Sequence, residues 1–209
     1  MFAFRALQRY LCIMTEQDPR ERVLDAGALR ALAHPLRVRL FDLLSQYGAQ
    51  TASGLAALTG ESTGATSYHL RTLARHDLIR EVEGRGTARE RWWERPVGAV
   101  ALSNPELVET PAGRAVQEAV ASETLTLRQE QLMRFVRDGW EETAEWREAT
   151  LISTASARLT AAQMAELSAR LQAVINETVA QYRHQTGDDV RVVSMRADVF
   201  PLPARGASS

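Results

Sequence analysis

The chain has 209 residues, 45% of them hydrophobic and 24% charged, with a formal net charge of −1. That size fits one domain with a substantial appendage, or two small domains, and no apolar run approaches the ~18 residues a membrane span needs. The one cysteine, Cys12, excludes an internal disulfide framework and any multi-cysteine metal site. With no secretory signal in view, the expected compartment is the cytoplasm.

All 25 basic residues are arginines. They are unevenly balanced. From Ala28 to Val100 ten arginines meet seven acids, a balance of +3; from Ala101 to Phe200 ten meet fifteen, a balance of −5. A basic front and an acidic back point to a polyanion that meets only the front.

The opening MFAFRALQRYLCIM is broken by Arg5, Arg9 and Tyr10, and no small-residue cleavage site follows, so it does not read as a targeting peptide. Residues 1–13 are expected to be an upstream extension, with Met14 the natural start, and residues 1–20 to lack order. Residues 25–46 carry Leu29, Leu32, Leu36, Leu40, Leu43 and Leu44 at helical spacing. Pro35 divides them into two helices meeting at His34, where a structural histidine is expected. Gly48 stops the second. Thr51 or Ser53 then caps ASGLAALT, which ends at Gly60; Ser62 or Thr63 caps the next helix, which runs to about His76.

LIREVE (78–83) and ARERWWE (88–94) flank GRGT and predict a hairpin turning at the glycines. Trp92 and Trp93 are expected to pack within it. A long amphipathic helix is predicted over 112–137, with Ala115, Val116, Ala119, Val120, Leu127, Leu132, Phe135 and Val136 on one stripe and Gly139 at its end. Trp140 and Trp146 are expected to be buried in a core or a dimer. ATLISTASARL (149–159) reads as a strand. The helix after it (159–185) has a Thr160/Gln163 capping box and a face of Leu167, Leu171, Val174, Ile175 and Val179. Residues 189–203 read as a second strand, halted by Pro201 and Pro203. Strand, helix, strand predicts a small α/β lobe. His184 and Cys12 are assigned no role.

Helix, short helix, tight turn, helix, hairpin is the order of a winged helix-turn-helix. If Thr66, Leu70 and Leu73 face the core, steps of 100° place Gly64, Tyr68, Arg71 and Arg75 on the opposite face. Small residues at the helix start allow close approach to a groove, and Ser62, Thr63, Ala65 and Ser67 flank that approach. His69 lies between the two faces and either bonds a phosphate or caps a neighbouring backbone group. Arg85, between two glycines, is placed to enter a minor groove, where narrow walls concentrate negative potential. Arg89 and Arg91 share one strand face and can track a phosphate backbone. Arg37 and Arg39 are expected in surface ion pairs.

LRALAHPLRVRLFDLL, TASGLAALTG, TGATSYHLRTLARHDLI and the GRGTARERWW hairpin together resemble the winged-helix DNA-binding domain of ArsR-type bacterial transcriptional regulators. The resemblance covers about residues 25–95. It implies a homodimer that places helix 63–76 in successive major grooves of a palindromic operator. The metal sensors of that family carry thiolate pairs on the helix before the turn and His ligands on a later helix. SGLAALTG holds no cysteine and 112–137 no histidine, so no metal or cofactor is expected.

The resulting expectation is a mainly α protein with small β content. Its divisions are an N-terminal extension (1–20), a winged helix-turn-helix domain (21–100), a C-terminal dimerisation or effector region (101–203) and a disordered tail (204–209). No enzyme motif is present: there is no P-loop, H-E-x-x-H or G-x-S-x-G. The expected function is sequence-specific binding of double-stranded DNA, with repression favoured and a small-molecule effector of unknown identity as a further partner. The alternative is a winged-helix protein-interaction module without specific DNA binding.

Overall fold

Asp25 starts the first helix because its carboxylate accepts from Ala28 N at 2.8 Å, satisfying one of the amides that a helix start leaves open. That hydrogen bond, foremost, holds its pKa below the ordinary carboxylate value. In the computed structural model, which describes residues 12–13, 22–87, 90–96, 100–102, 104, 106–182 and 184–203, the helix spans Ala26–Leu32 (α1). The chain divides into two units, 1–150 and 151–209.

In the first unit, α2 (Pro35–Tyr47) begins at the predicted break. His34 caps it, with Nδ1 accepting from Leu36 N at 3.2 Å, and Pro35 occupies the first turn, where no amide is missed. Thr51 caps α3 (Ala52–Thr59) by accepting from Gly54 N at 3.0 Å. Gly60 ends α3 at φ 74°, a left-handed conformation that turns the chain sharply into Ser62, the cap of α4 (Thr63–Ala74). Leu29, Leu32, Leu40, Phe41, Leu44, Leu55, Leu70 and Leu73 from these helices share one core with Leu78, Ile79 and Trp93.

Two small sheets accompany the helices. The strand Gln50–Thr51 (β3) pairs antiparallel with β5 (Glu90–Glu94), which pairs antiparallel with β4 (Arg80–Thr87). In the other, β6 (Val100–Ala101) lies between β1 (Cys12–Ile13), antiparallel, and β2 (Arg22–Val23), parallel. Cys12 and Ile13 thus have regular structure inside the segment 1–20 that was expected to lack it. The expectations for the rest of 1–20, and for the tail 204–209, fall outside the described residues.

The hairpin corrects the predicted turn. Thr87 pairs with Glu90 and Gly86 with Arg91, so β4 continues through the GRGT segment to Thr87. Glu81 pairs with Trp93, which leaves Val82 to Arg85 opposite the single Trp92. The glycines serve this bulge: Gly84 and Gly86 have φ of 70° and 108°. A Cβ on Gly86 would collide with the Glu90 carbonyl oxygen.

The long helix α5 (Pro111–Asp138) packs on α1 and α2 within the first unit. Its inward stripe is Gly113, Val116, Val120, Thr124, Leu127 and Gln131. Ala115, Ala119, Phe135 and Val136, predicted on the stripe, are exposed. Thr124 is buried because its hydroxyl donates to Val120 O at 2.8 Å, so a polar residue holds a core position at no cost in lost hydrogen bonds. Gln131 Nε2 donates to Asp42 Oδ2 at 2.7 Å, which fastens α5 to α2, and Gln46 Nε2, within α2, donates to the same oxygen at 2.6 Å. Burial raises the Asp42 pKa against the pull of these bonds. A short helix, α6 (Ala144–Glu148), closes the unit. Trp140 just before it is 80% exposed, so of the two burials expected, in a core or in a dimer, this chain's core does not provide one.

The second unit holds α7 (Ala161–Tyr182). Its capping box forms as predicted: Thr160 N donates to Gln163 Oε1 at 2.9 Å, and Gln163 N to Thr160 Oγ1 at 3.3 Å. The predicted flanking strands do not form. Residues 151–159 and 190–203 belong to no sheet, so the expected α/β lobe is one helix with two irregular flanks. A strand needs a neighbour for its backbone groups, and here neither flank has the other as a partner in a ladder.

Candidate nucleic-acid interface

The face opposite the core of α4 is the candidate site. Thr66, Leu70 and Leu73 are buried, which turns Gly64, Tyr68, Arg71 and Arg75 outwards. Tyr68 is 56% exposed. Ser62, Thr63 and Gly64 are exposed at the start of the helix, and Ala65 and Ser67 are half-buried. Ser62 Oγ accepts from Ala65 N at 3.2 Å, so its side chain is committed to the cap. The helix therefore presents small residues at its amino end and cations further along.

His69 turns inwards, between the two faces. Its ring lies 4.6 Å from that of His34, centroid to centroid, and 5.2 Å from that of Tyr68. Its Nδ1 is buried without a hydrogen-bond partner among the described residues. Burial, and then the charges of His34 and Arg37, hold its pKa below the ordinary histidine value. A neutral ring in contact with His34 is positioned to pack rather than to neutralise phosphate.

The wing supplies the other cations. Arg85 lies in the bulge with its guanidinium 3.7 Å from the centroid of the Trp92 ring. Trp93, next in the strand, points the other way into the core. Arg91 pairs with Glu81 at 3.2 Å, and Arg80 with Glu94 at 2.7 Å. Both pairs are exposed, so they fasten the hairpin weakly and leave much of the arginine surface in water. Among the described residues Arg71, Arg75 and Arg85 make no ion pair. Arg89 lies outside the described residues.

Three further arginines brace the ends of α1 and α3 and the turn after α4, and the sequence did not distinguish them. Arg39 donates to Leu58 O at 3.1 Å and Thr59 O at 3.3 Å, the open carbonyls at the end of α3. Arg37 donates to Ala31 O and Arg30 O at the end of α1. A cation there also meets the negative end of the helix dipole. These helix-end contacts replace the ion pairs expected of Arg37 and Arg39. Arg22 donates to Asp77 O at 2.6 Å and His76 O at 3.2 Å. It thereby braces the turn between α4 and the wing, where Asp77 has φ 54°.

Among the described residues no group of three or more His, Cys, Asp and Glu side chains is placed to hold a metal ion. No helix among them is long and apolar enough to cross a membrane.

A helix-turn-helix closed by a β wing, with α4 turned outwards, defines a winged helix-turn-helix protein. The family model described as a helix-turn-helix domain matches residues 32–82. That segment holds α2, α3, the turn and α4. The chain is also similar to the crystal structure of a "possible transcriptional regulator for arsenical resistance". The two are 28% identical, the match covers 55% of this chain and 97% of the other, and the TM-score is 0.30. No curated protein matches the chain.

Proposed function

We propose that this protein regulates transcription by binding double-stranded DNA sequence-specifically as a homodimer. Helix α4 enters the major groove and the 84–91 wing the adjacent minor groove. One observation carries the reading: Arg71, Arg75 and Arg85 are exposed without ion pairs among the described residues, around a helix whose amino end is Ser62, Thr63 and Gly64. Cations left for an external partner, beside small residues that admit a groove wall, suit a polyanion with readable edges. Two such heads related by a twofold axis match a palindromic operator, and repression by occlusion needs nothing beyond occupancy.

The test is a fluorescence-anisotropy titration with the protein's own upstream promoter and a scrambled duplex of equal length, at two salt concentrations. Preference for the promoter, with affinity falling steeply as salt rises, supports the reading. Arg71→Ala is expected to weaken binding about tenfold and relax its specificity while leaving the fold intact. Equal, weak binding to both duplexes would turn the winged helix into a protein-interaction module.

A further inference from the structure

The second unit has an unmet need for burial. None of its described residues is buried, although it carries an amphipathic helix and two flanks rich in large apolar side chains. On α7, Leu167, Leu171 and Val174 form an exposed row at three- and four-residue spacing. Before it, Leu151 is 85% exposed and Ile152 and Leu159 are exposed; after it, Val192, Val193, Met195, Phe200 and Leu202 are exposed, the last at 68%. Together these side chains present on the order of 1,000 Å² of apolar surface, against about 800 Å² per partner in a standard protein interface.

The flanks point to the kind of partner. Residues 151–159 and 190–203 run without turn or bend and join no sheet. They are nevertheless the segments whose Thr, Ile, Val and Phe content reads as strand. Segments of this composition satisfy their backbone groups by adding to another strand. A second copy of the chain supplies such strands in matching number.

We propose that residues 151–203 form the seam of a homodimer, in which the flanks of one copy pair with those of a second and the α7 faces of both copies cover the shared sheet. This deepens the homodimer reading above by naming the contact surface, and it rests on that reading only for the twofold assembly. The region becomes the α/β lobe that the sequence predicts, but between chains.

The test uses the full chain without DNA, so its failure is distinguishable from a failure to bind an operator. Sedimentation velocity at micromolar concentration is expected to give a dimer of 23.2-kDa chains. The double variant Leu171→Glu/Val174→Glu, at positions already exposed, is expected to raise the dimer dissociation constant roughly 100-fold or more with the helical circular dichroism retained. As a second readout, Val193→Cys in a Cys12→Ser background carries a spin label. A dipolar signal that disappears on dilution with unlabelled chain confirms that the flanks meet between copies. A monomer at all concentrations overturns the proposal. So does a dimer that resists the double variant but dissociates with Val136→Glu, which places the seam on α5.

Discussion

The guanidinium of Arg85 lies over the indole of Trp92 at 3.7 Å, inside a bulge made by two glycines of positive φ. The ring face holds the cation by its quadrupole, worth about 0.5–1 kcal/mol at an exposed site, while the charge stays available to a phosphate. Arg85→Ala is expected to lower promoter affinity about tenfold and the logarithmic salt slope by about one. Trp92→Leu removes the platform but keeps the charge, so its loss is expected to be several-fold smaller, with the slope retained. Anisotropy titrations over a salt series check both, and an unchanged slope for Arg85→Ala removes this residue from the interface.

Gly86 has no room for a side chain. A side chain there is strained at φ 108° and meets the Glu90 carbonyl oxygen and the Trp92 ring. Gly86→Ala is expected to cost about 1–3 kcal/mol and to open the hairpin. Gly84 has φ 70° but open space around it, so Gly84→Ala carries only the backbone cost, about 1 kcal/mol. Thermal melts and limited proteolysis across residues 82–91 separate the two. Equal behaviour of the two variants would contradict the bulge geometry.

Thr66 is fully buried on the core side of α4, and its hydroxyl has no hydrogen-bond partner among the described residues. An unsatisfied buried hydroxyl costs about 1–3 kcal/mol, and valine has the same shape without it. Thr66→Val is expected to stabilise the protein by about 1 kcal/mol, or roughly 2–4 °C in Tm. A lower Tm, measured calorimetrically, would show that the hydroxyl has a partner.

His69 and Asp42 tie stability to pH with opposite signs. Burial, with His34 and Arg37, lowers the His69 pKa, so near pH 6 the unfolded chain binds a proton that the folded chain resists. Its contribution is complete above the ordinary value of about 6.5 and is lost as pH falls through that value towards the lower folded one. Burial raises the Asp42 pKa, so the folded chain keeps a proton that the unfolded chain has released, and stability falls as pH rises from 3.8 towards the raised value. His69→Gln is expected to flatten the decline in Tm between pH 7 and 5.5. An undiminished decline would assign it to other groups.

Helix α4 was legible because its period is local. Thr66, Leu70 and Leu73 repeat at helical spacing, Ser62 caps and Gly60 turns, all within fifteen residues of chain. Local propensity and a 3.6-residue stripe determine such a helix and the face it exposes. The wing was legible only in part. Its strands follow from alternation, but register depends on which residues pair. The two glycines support either a turn at 84–87 or the observed bulge, and pairing of Thr87 with Glu90 selected the bulge.

Other features depended on contacts distant in sequence. Arg37, Arg39 and Arg22 look like surface cations in the chain, and only tertiary packing brings helix ends and the Asp77 turn to them. Asp42 and Gln131 are 89 residues apart, and no local pattern marks them as partners. By itself the sequence determined the helix-turn-helix, its outward face and the basic character of its front. Tertiary structure decided which arginines brace the fold and which stay exposed without an ion pair among the described residues, because a charged side chain's role depends on what comes within about 4 Å of it.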